Sequence, residues 1–316
     1  MLKKLNNLDI YKKGLFFLSL GGIGEIGANC YLYGCDGKWI MIDLGISFAD
    51  EKHPGIDILV PKIDFIEEIQ DDLVAIIISH GHEDHAGAVA FFADKINCPV
   101  YATSFAKLLI ENRLKEFGKL ENVKLIELNT KKKLKLDNFN IKFFETTHSI
   151  PEPNAIVLDT CYGKLLHTAD WKIDPSPTLG ENFKKEYFED IGNDGLLALI
   201  GDSTNADIPG FSRSENEVKE ELKNIFSRYS NRIVVTCFSS NIARMINIIY
   251  AAKKNNRKIV LIGRSMKKNI EAAIKCNFIN SDEMFISEEE ASYISKENLV
   301  IICTGSQGEK RSALYR

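Results

Sequence analysis

The stretch Ser79-His80-Gly81-His82-Glu83-Asp84-His85-Ala86-Gly87 sets three histidines and a carboxylate within six residues, directly after the apolar run Leu73 to Ile78. A β-branched run bounded by Asp71-Asp72 and a glycine-containing polar turn has the composition of a buried parallel strand, so the cluster falls at a strand's C-terminal end. Ligands of open α/β sheets bind at that end. His80 and His82 are two apart, and in extended backbone such residues project to the same side, where both imidazoles can reach one ion. Asp84 and His85 follow at the predicted start of a helix. Imidazole nitrogens with a carboxylate form the donor set favoured by zinc or manganese. A His-rich polar loop is the ordinary alternative, but the chain holds six His in all and half of them are here.

With 316 residues and 45% hydrophobic content, the chain can bury a sizeable core and suggests two domains, one large α/β domain being the other option. A net charge of −4 excludes a wholly basic nucleic-acid binder. It leaves a nuclease open, since such an enzyme needs only a local basic groove and its metals to hold phosphate. The seven cysteines are odd in number, scattered and mostly set in apolar runs, which points to reduced core residues and a cytoplasmic protein. Neither a cleavable leader nor a run of 18 apolar residues occurs, so no membrane association is expected.

Leu15 to Leu20 reads as a strand that enters Gly21-Gly22-Ile23-Gly24-Glu25-Ile26-Gly27. A dinucleotide loop would open a helix on its last glycine, whereas Asn29-Cys30-Tyr31-Leu32-Tyr33 has strand composition, so a turn between two strands is predicted. Asp36-Gly37 is a hairpin signal, and the returning strand Trp39 to Ile42 ends at Asp43. That carboxylate is either a turn cap or an acceptor that orients a metal-bound histidine. Further predicted elements are helices over Ile63 to Ile69 and Ala86 to Ala93, a strand Pro99 to Ala102, and a helix capped by Thr103 or Ser104 and stopped by Gly118. Strands Val123 to Leu128 and Phe139 to Phe144 flank Lys131-Lys132-Lys133, a solvated turn before it is a nucleic-acid contact.

His148 follows a strand end, where the first cluster needs more ligands. Asp170 lies just beyond the strand that ends near Leu165-Leu166-His167, and a carboxylate's two oxygens can each bind one metal. His167 lies within that strand, where burial or orientation, rather than ligation, is the expected role. Leu196 to Ile200 reads as one more buried strand. From Ser212 onward helices and strands alternate, with capping boxes at Ser212/Glu215 and Ser214/Glu217. The predicted domains are therefore 1–210 and 211–316, with the boundary near Pro209-Gly210.

Asp43, His80-x-His82-x-Asp84-His85, His148 and Asp170 occur in the order and spacing of the metallo-β-lactamase superfamily, which this sequence resembles. The resemblance implies an αββα sandwich with a two-metal site: His80, His82 and His148 on one ion, Asp84 and His85 on the other, and Asp170 bridging. Leu20-Gly21-Gly22-Ile23-Gly24-Glu25-Ile26-Gly27, His148-Ser149-Ile150-Pro151, His167-Thr168-Ala169-Asp170-Trp171-Lys172, Asp202-Ser203-Thr204-Asn205, Ser239-Ser240-Asn241, Gly263-Arg264-Ser265-Met266 and Cys303-Thr304-Gly305-Ser306-Gln307-Gly308-Glu309 resemble the ribonuclease J family. In that family a β-CASP α/β domain is inserted into the lactamase-type domain. Members continue past the last of these segments and carry later histidines, whereas here none follows His167. An N-terminal fragment with a partial β-CASP domain and an impaired second metal shell is therefore expected.

The implied activity is 5′-to-3′ exonucleolytic and endonucleolytic hydrolysis of RNA phosphodiesters, on RNA bearing a 5′-monophosphate. The implied cofactors are two divalent ions, zinc first, with manganese and magnesium as alternatives. Paired ions about 3.5–4 Å apart lower the pKa of a shared water from about 15.7 towards ~7. Asp84 is the residue expected to orient that water or accept its proton, with Asp43 behind it. Ser239, Ser240, Arg264 and Ser265 stand near predicted strand ends and can hold RNA phosphate, ordinary turn capping being the alternative. The family implies a homo-oligomer, although its C-terminal assembly elements are absent from this sequence. The rival readings are a lactamase-fold hydrolase of small esters and a crippled RNA-binding fragment.

Overall fold

Alternate residues along the early strands are buried on opposite faces, and that double burial sets the layering. A computed structural model describes residues 11–49, 52–280, 284–308 and 312–315. The described residues form two compact units. The first comprises the chain up to Glu145, Glu152–Asp170 and Lys184–Ser203; the second comprises Thr146–Pro151, Trp171–Phe183 and the chain from Thr204.

The first unit contains β1 (Leu15–Gly21), β2 (Cys30–Cys35), β3 (Lys38–Ile42), β4 (Ser47–Phe48), β5 (Ile58–Leu59), α1 (Asp64–Glu68), β6 (Leu73–Ile77), α2 (Glu83–Ala86), β7 (Val100–Ala102), α3 (Ser104–Glu116), β8 (Leu125–Glu127), β9 (Leu134–Leu136), β10 (Phe139–Glu145), β11 (Asn154–Thr160), β12 (Gly163–His167), α4 (Lys185–Asn193) and β13 (Ala198–Ile200). One sheet runs β1-β2-β3-β6-β7-β8 and the other β13-β12-β11-β10-β9. Tyr33, Ile40, Ile42 and Ile77 of the first sheet share a core with Phe139, Ile141, Ile156 and Leu158 of the second. On the outer face of the first sheet, Leu32, Met41 and Ile76 pack with Phe65 and Ile66 of α1 and Ile110 and Leu114 of α3. Ala155, Val157 and Leu166 of the second sheet cover Ile191 of α4. The unit is thus an αββα sandwich, the architecture expected from the sequence. Each fully buried large aliphatic or aromatic side chain contributes roughly 1.5–3 kcal/mol to holding it.

The glycine-rich turn does join two antiparallel strands, β1 and β2. Gly22 has φ +85°, and a Cβ there would stand 2.3 Å from the Tyr31 hydroxyl oxygen, so both conformation and space call for glycine. Asp36 and Gly37 both adopt positive φ, at +46° and +80°, as a type I′ hairpin demands. Thr103 is the N-cap residue of α3 but makes no side-chain cap bond. The first turn is sealed from elsewhere: the Glu152 carboxylate accepts the Phe105 backbone N–H at 2.9 Å and the Ser104 hydroxyl at 3.0 Å.

Three expectations need correction. The predicted helix over 86–93 stops at Ala86, because Ala88 N donates to Leu44 O and the bonds from Val89 N to Ala86 O and Phe91 N to Ala88 O span only three residues. The strand expected to be buried over 196–200 is instead the edge strand β13, with Leu197 and Leu199 at 59% and 62% exposure. Ser214 caps its helix by accepting from Asn216 N, but Glu217 turns to Arg213 rather than closing a capping box.

The second unit contains α5 (Glu215–Arg228), β14 (Ile233–Thr236), α6 (Ile242–Lys254), β15 (Lys258–Ile262), α7 (Arg264–Lys275), β16 (Phe285–Ile286), α8 (Glu288–Ala291) and β17 (Leu299–Cys303). Its sheet, ordered β14-β17-β15-β16, is parallel throughout. Among the described residues, no helix is long and apolar enough to cross a membrane.

Candidate metal centre

The first unit's strands end where the ionisable side chains gather. β3 leads into Asp43, whose φ of +62° turns the chain sharply. Its fully buried carboxylate accepts the Ser79 backbone N–H at 2.7 Å, the Ser79 hydroxyl at 2.8 Å and the His85 Nδ1 proton at 2.7 Å. A carboxylate removed from water is tolerable only with such partners. The residues after Asp43 then grip the short helix α2, with Leu44 N donating to His85 O and Ile46 N to Glu83 O. Gly45 makes this approach possible, since a Cβ there would lie 1.6 Å from the Asp84 carbonyl oxygen.

Two histidines are oriented by their second nitrogen. His80 Nδ1 lies 3.0 Å from the Ser79 hydroxyl, and His80 Nε2 lies 3.1 Å from His82 Nδ1. His85 commits Nδ1 to Asp43, leaving Nε2 at 3.2 Å from Asp170 Oδ1 and 3.7 Å from Asp84 Oδ2. Within the first unit, one group of possible ligands comprises His80, His82 and Asp170, and another comprises Asp84, His85 and Asp170; His148 lies in the second unit. Within each group the ligand atoms lie within 4.8 Å of one another. Asp170 belongs to both.

The donor set fits divalent metal. Nitrogen ligands at 2.0–2.1 Å from a tetrahedral ion stand about 3.3 Å apart, close to the His80–His82 separation. The held Nδ1 atoms of His80 and His85 also match the usual outer support of metal-binding imidazoles. Burial, reinforced by the neighbouring Asp170 and Asp43 carboxylates, pushes the Asp84 carboxyl up despite the opposing pull of His85. Burial alone would lower the His85 imidazole; Asp43 and Asp170 outweigh it and hold the group well above the ordinary histidine range. The field at this strand end is one that attracts a cation.

Sequence reasoning missed two supports. Ser79 joins Asp43 to His80, and the only local signal was its place directly before the histidine. Asn29 Nδ2 lies 3.0 Å from His85 Nε2 and donates to Asp84 O at 3.1 Å, while Asn29 Oδ1 accepts the Tyr31 hydroxyl at 2.8 Å. Nothing near Asn29 in sequence marks that role beyond its position after the glycine turn. His167 is buried as expected, with Nδ1 2.9 Å from the Tyr33 hydroxyl and Nε2 lacking a hydrogen-bond partner. Burial pushes its pKa down to about 4.

In the second unit, Ser239 and Ser240 lie between β14 and α6, and Arg264 and Ser265 form the first turn of α7 after β15. Because the sheet is parallel, both segments occupy its C-terminal edge. Arg264 and Ser265 are exposed, and Ser239 and Ser240 partly so.

Comparison with known proteins accounts for both units. A family model described as the metallo-beta-lactamase superfamily matches residues 23–204, and one described as the ribonuclease J beta-CASP domain matches residues 230–316. Relatives include ribonuclease J of Sinorhizobium meliloti, 39% identical over 96% of this chain and 54% of that protein. Ribonuclease J 1 of Streptococcus pyogenes is 37% identical over 99% of this chain and 56% of that protein, and ribonuclease J2 of Bacillus subtilis is 35% identical over 95% and 54%. The chain spans about half the length of the curated relatives it matches. A crystal structure of a protein of unknown function from Enterococcus faecalis V583 shares the fold, with TM-score 0.66 and 16% identity over 93% of this chain and 78% of that one. The chain belongs to the metallo-β-lactamase superfamily.

Proposed function

We propose that the protein is a metal-dependent ribonuclease of the ribonuclease J type that hydrolyses RNA phosphodiesters exonucleolytically from the 5′ end and endonucleolytically. The observation that carries this reading is the convergence of His80, His82, Asp84, His85 and Asp170 in a chain that also matches the ribonuclease J β-CASP domain. His80, His82 and His148 would hold one divalent ion, Asp84 and His85 a second, and Asp170 both. Zinc suits the imidazole-rich half, and manganese or magnesium suits the carboxylates. Bound there, such ions lower the pKa of water and stabilise charge on phosphate oxygens.

The protein's own groups do the rest. Asp43 fixes the His85 ring with Nε2 facing the site, Ser79 holds His80, and Asn29 steadies the Asp84 segment. Asp84 carries a free carboxylate lone pair towards the attacking water and takes its proton. Ser239 and Ser240, just before α6, and Arg264 and Ser265, at the start of α7, hold RNA phosphate and the 5′-monophosphate, helped by the positive end of the α7 dipole. We assign the lactamase-type domain to residues 1–210 and the β-CASP domain from 211, and place the protein in the cytoplasm in view of its free thiols. The homo-oligomer implied by the family belongs to the same proposal.

The test uses a full-length counterpart with 5′-monophosphorylated RNA and Zn²⁺, Mn²⁺ or Mg²⁺. His80→Ala and Asp84→Ala should each lower cleavage on the order of a thousandfold. Cleavage persisting in both variants, or turnover of a small ester without RNA cleavage, overturns the assignment.

A further inference from the structure

Far from the metal ligands, the same sandwich brings two thiols together. Cys35 ends β2 and Cys161 opens the two-residue turn between β11 and β12, so they belong to different sheets. Both thiols therefore stand at the end away from the metal ligands: β2 starts next to Asn29 and ends at Cys35, and β12 returns from the Cys161 turn towards Asp170. The sulfurs of Cys35 and Cys161 and a carboxylate oxygen of Asp36 lie within 4.8 Å of one another. The turns are already tied across the gap, the Tyr162 hydroxyl donating to Asp36 Oδ1 at 2.6 Å and Cys161 Sγ to Asp36 Oδ2 at 3.8 Å. Asn138 Nδ2 anchors the other side through Cys35 O at 2.9 Å.

We propose that Cys35 and Cys161 form a redox-responsive pair, oxidised by a peroxide to a disulfide that staples the two sheets at the end remote from the metal ligands. Cys161 is exposed whereas Cys35 is fully buried, so the order of events follows from access. The Cys161 thiolate attacks one peroxide oxygen and the O–O bond breaks, giving a sulfenic acid and hydroxide, which takes up a proton and leaves as water. The Cys35 sulfur then attacks the Cys161 sulfur; the S–S bond forms, the S–O bond breaks, and hydroxide departs with the Cys35 proton as a second water. Two thiols lose two electrons and the peroxide gains them. Burial and the neighbouring Cys161 push the Cys35 thiol up to about 12, which keeps it protonated until its partner is oxidised. Closing the sulfurs to about 2.05 Å needs side-chain rotation within turns that are otherwise fixed.

A metal site fits this cluster less well. Asp36 Oδ1 is already engaged by the Tyr162 hydroxyl and by Gly14 N at 2.9 Å, and among the described residues the group of ligands at this end numbers three, Cys35, Asp36 and Cys161. Four is the usual number for structural zinc.

The experiment treats the full chain with hydrogen peroxide and compares it with reduced protein by non-reducing peptide mapping and thermal unfolding. The expected result is a Cys35–Cys161 linked peptide, reversed by reductant, with the thermal midpoint raised on the order of 5 °C because a long loop has been closed. Cys161→Ser, a surface change, should abolish both while leaving the reduced protein's midpoint unaltered. Oxidation of Cys161 to sulfenic or sulfinic acid with no link to Cys35 overturns the proposal. So does a thiolate-to-cobalt absorption band in the reduced protein that Cys161→Ser removes, since the pair would then be a metal site.

Discussion

The two ends of the lactamase-type sandwich are built on opposite terms. At the ligand end, β3, β6 and β12 run out into Asp43, Ser79-His80 and the Asp170 segment, and Asp43, Ser79, His80, His85 and His167 are nearly or wholly buried. At the other end β3 and β12 start from the hairpin turns Asp36-Gly37 and Cys161-Tyr162, which are largely exposed and linked by a few side-chain bonds. Buried charge must be satisfied by donors from several segments at once, so the ligand end has little freedom to vary. A hairpin end has to satisfy local geometry and only a few exposed polar contacts. Stability at one end is a matter of chain conformation, and at the other a matter of mutual polar contacts.

Substitutions can break that contrast. Gly45→Ala forces a Cβ against the Asp84 carbonyl and is expected to cost about 3 kcal/mol and to release metal, as read by denaturant titration and metal content. A midpoint equal to that of the parent would show that the ligand end yields more than its geometry implies. Acid probes the same end through His167. Its native pKa, pushed down to about 4 from 6.5, means the folded state stays neutral while the unfolded chain takes up a proton. Its contribution is therefore complete above pH 6.5 and lost as pH falls from 6.5 towards 4, by about 3 kcal/mol in all. His167→Gln should flatten that part of the pH–stability curve, and an unchanged slope would assign acid lability elsewhere.

Smaller effects sharpen the comparison. Asp43→Asn offers one carbonyl oxygen where three donors need an acceptor, and should weaken metal binding about 10–100-fold in calorimetric titration. Equal affinity would mean that His85 keeps its orientation unaided. Gly37→Ala, at the hairpin end, meets no atom of the described residues closer than 3.6 Å and pays for φ +80°, about 1 kcal/mol. A loss matching that of Gly45→Ala would erase the distinction between the two ends.

Much of this was legible in the chain. The run before His80 reads as a buried parallel strand because β-branched residues fill both faces, and β6 is one. The alternation of helices and strands expected from Ser212 onward is present from α5 to β17, since clear period and clean stops define its elements. The long strand β11 escaped notice because Asn154 and Asp159 weaken its pattern and prolines precede it. The edge position of β13 is invisible locally, as Leu197 and Leu199 look like core until the sheet order is known. At the site, spacing pointed to His80, His82, Asp84 and His85 as a group. Asn29 and Ser79 did not stand out, because their importance lies in partners distant in sequence or in another residue's side chain.

Glu152 adds a dimension of time. It seals the first turn of α3 from a position 48 residues beyond Ser104. At roughly 5–20 residues added per second during synthesis, the helix leaves the ribosome some 2–10 s before its acceptor does. Through that interval the nascent helix exposes open N–H groups at its start, and codon choices across the intervening segment govern how long they stay exposed.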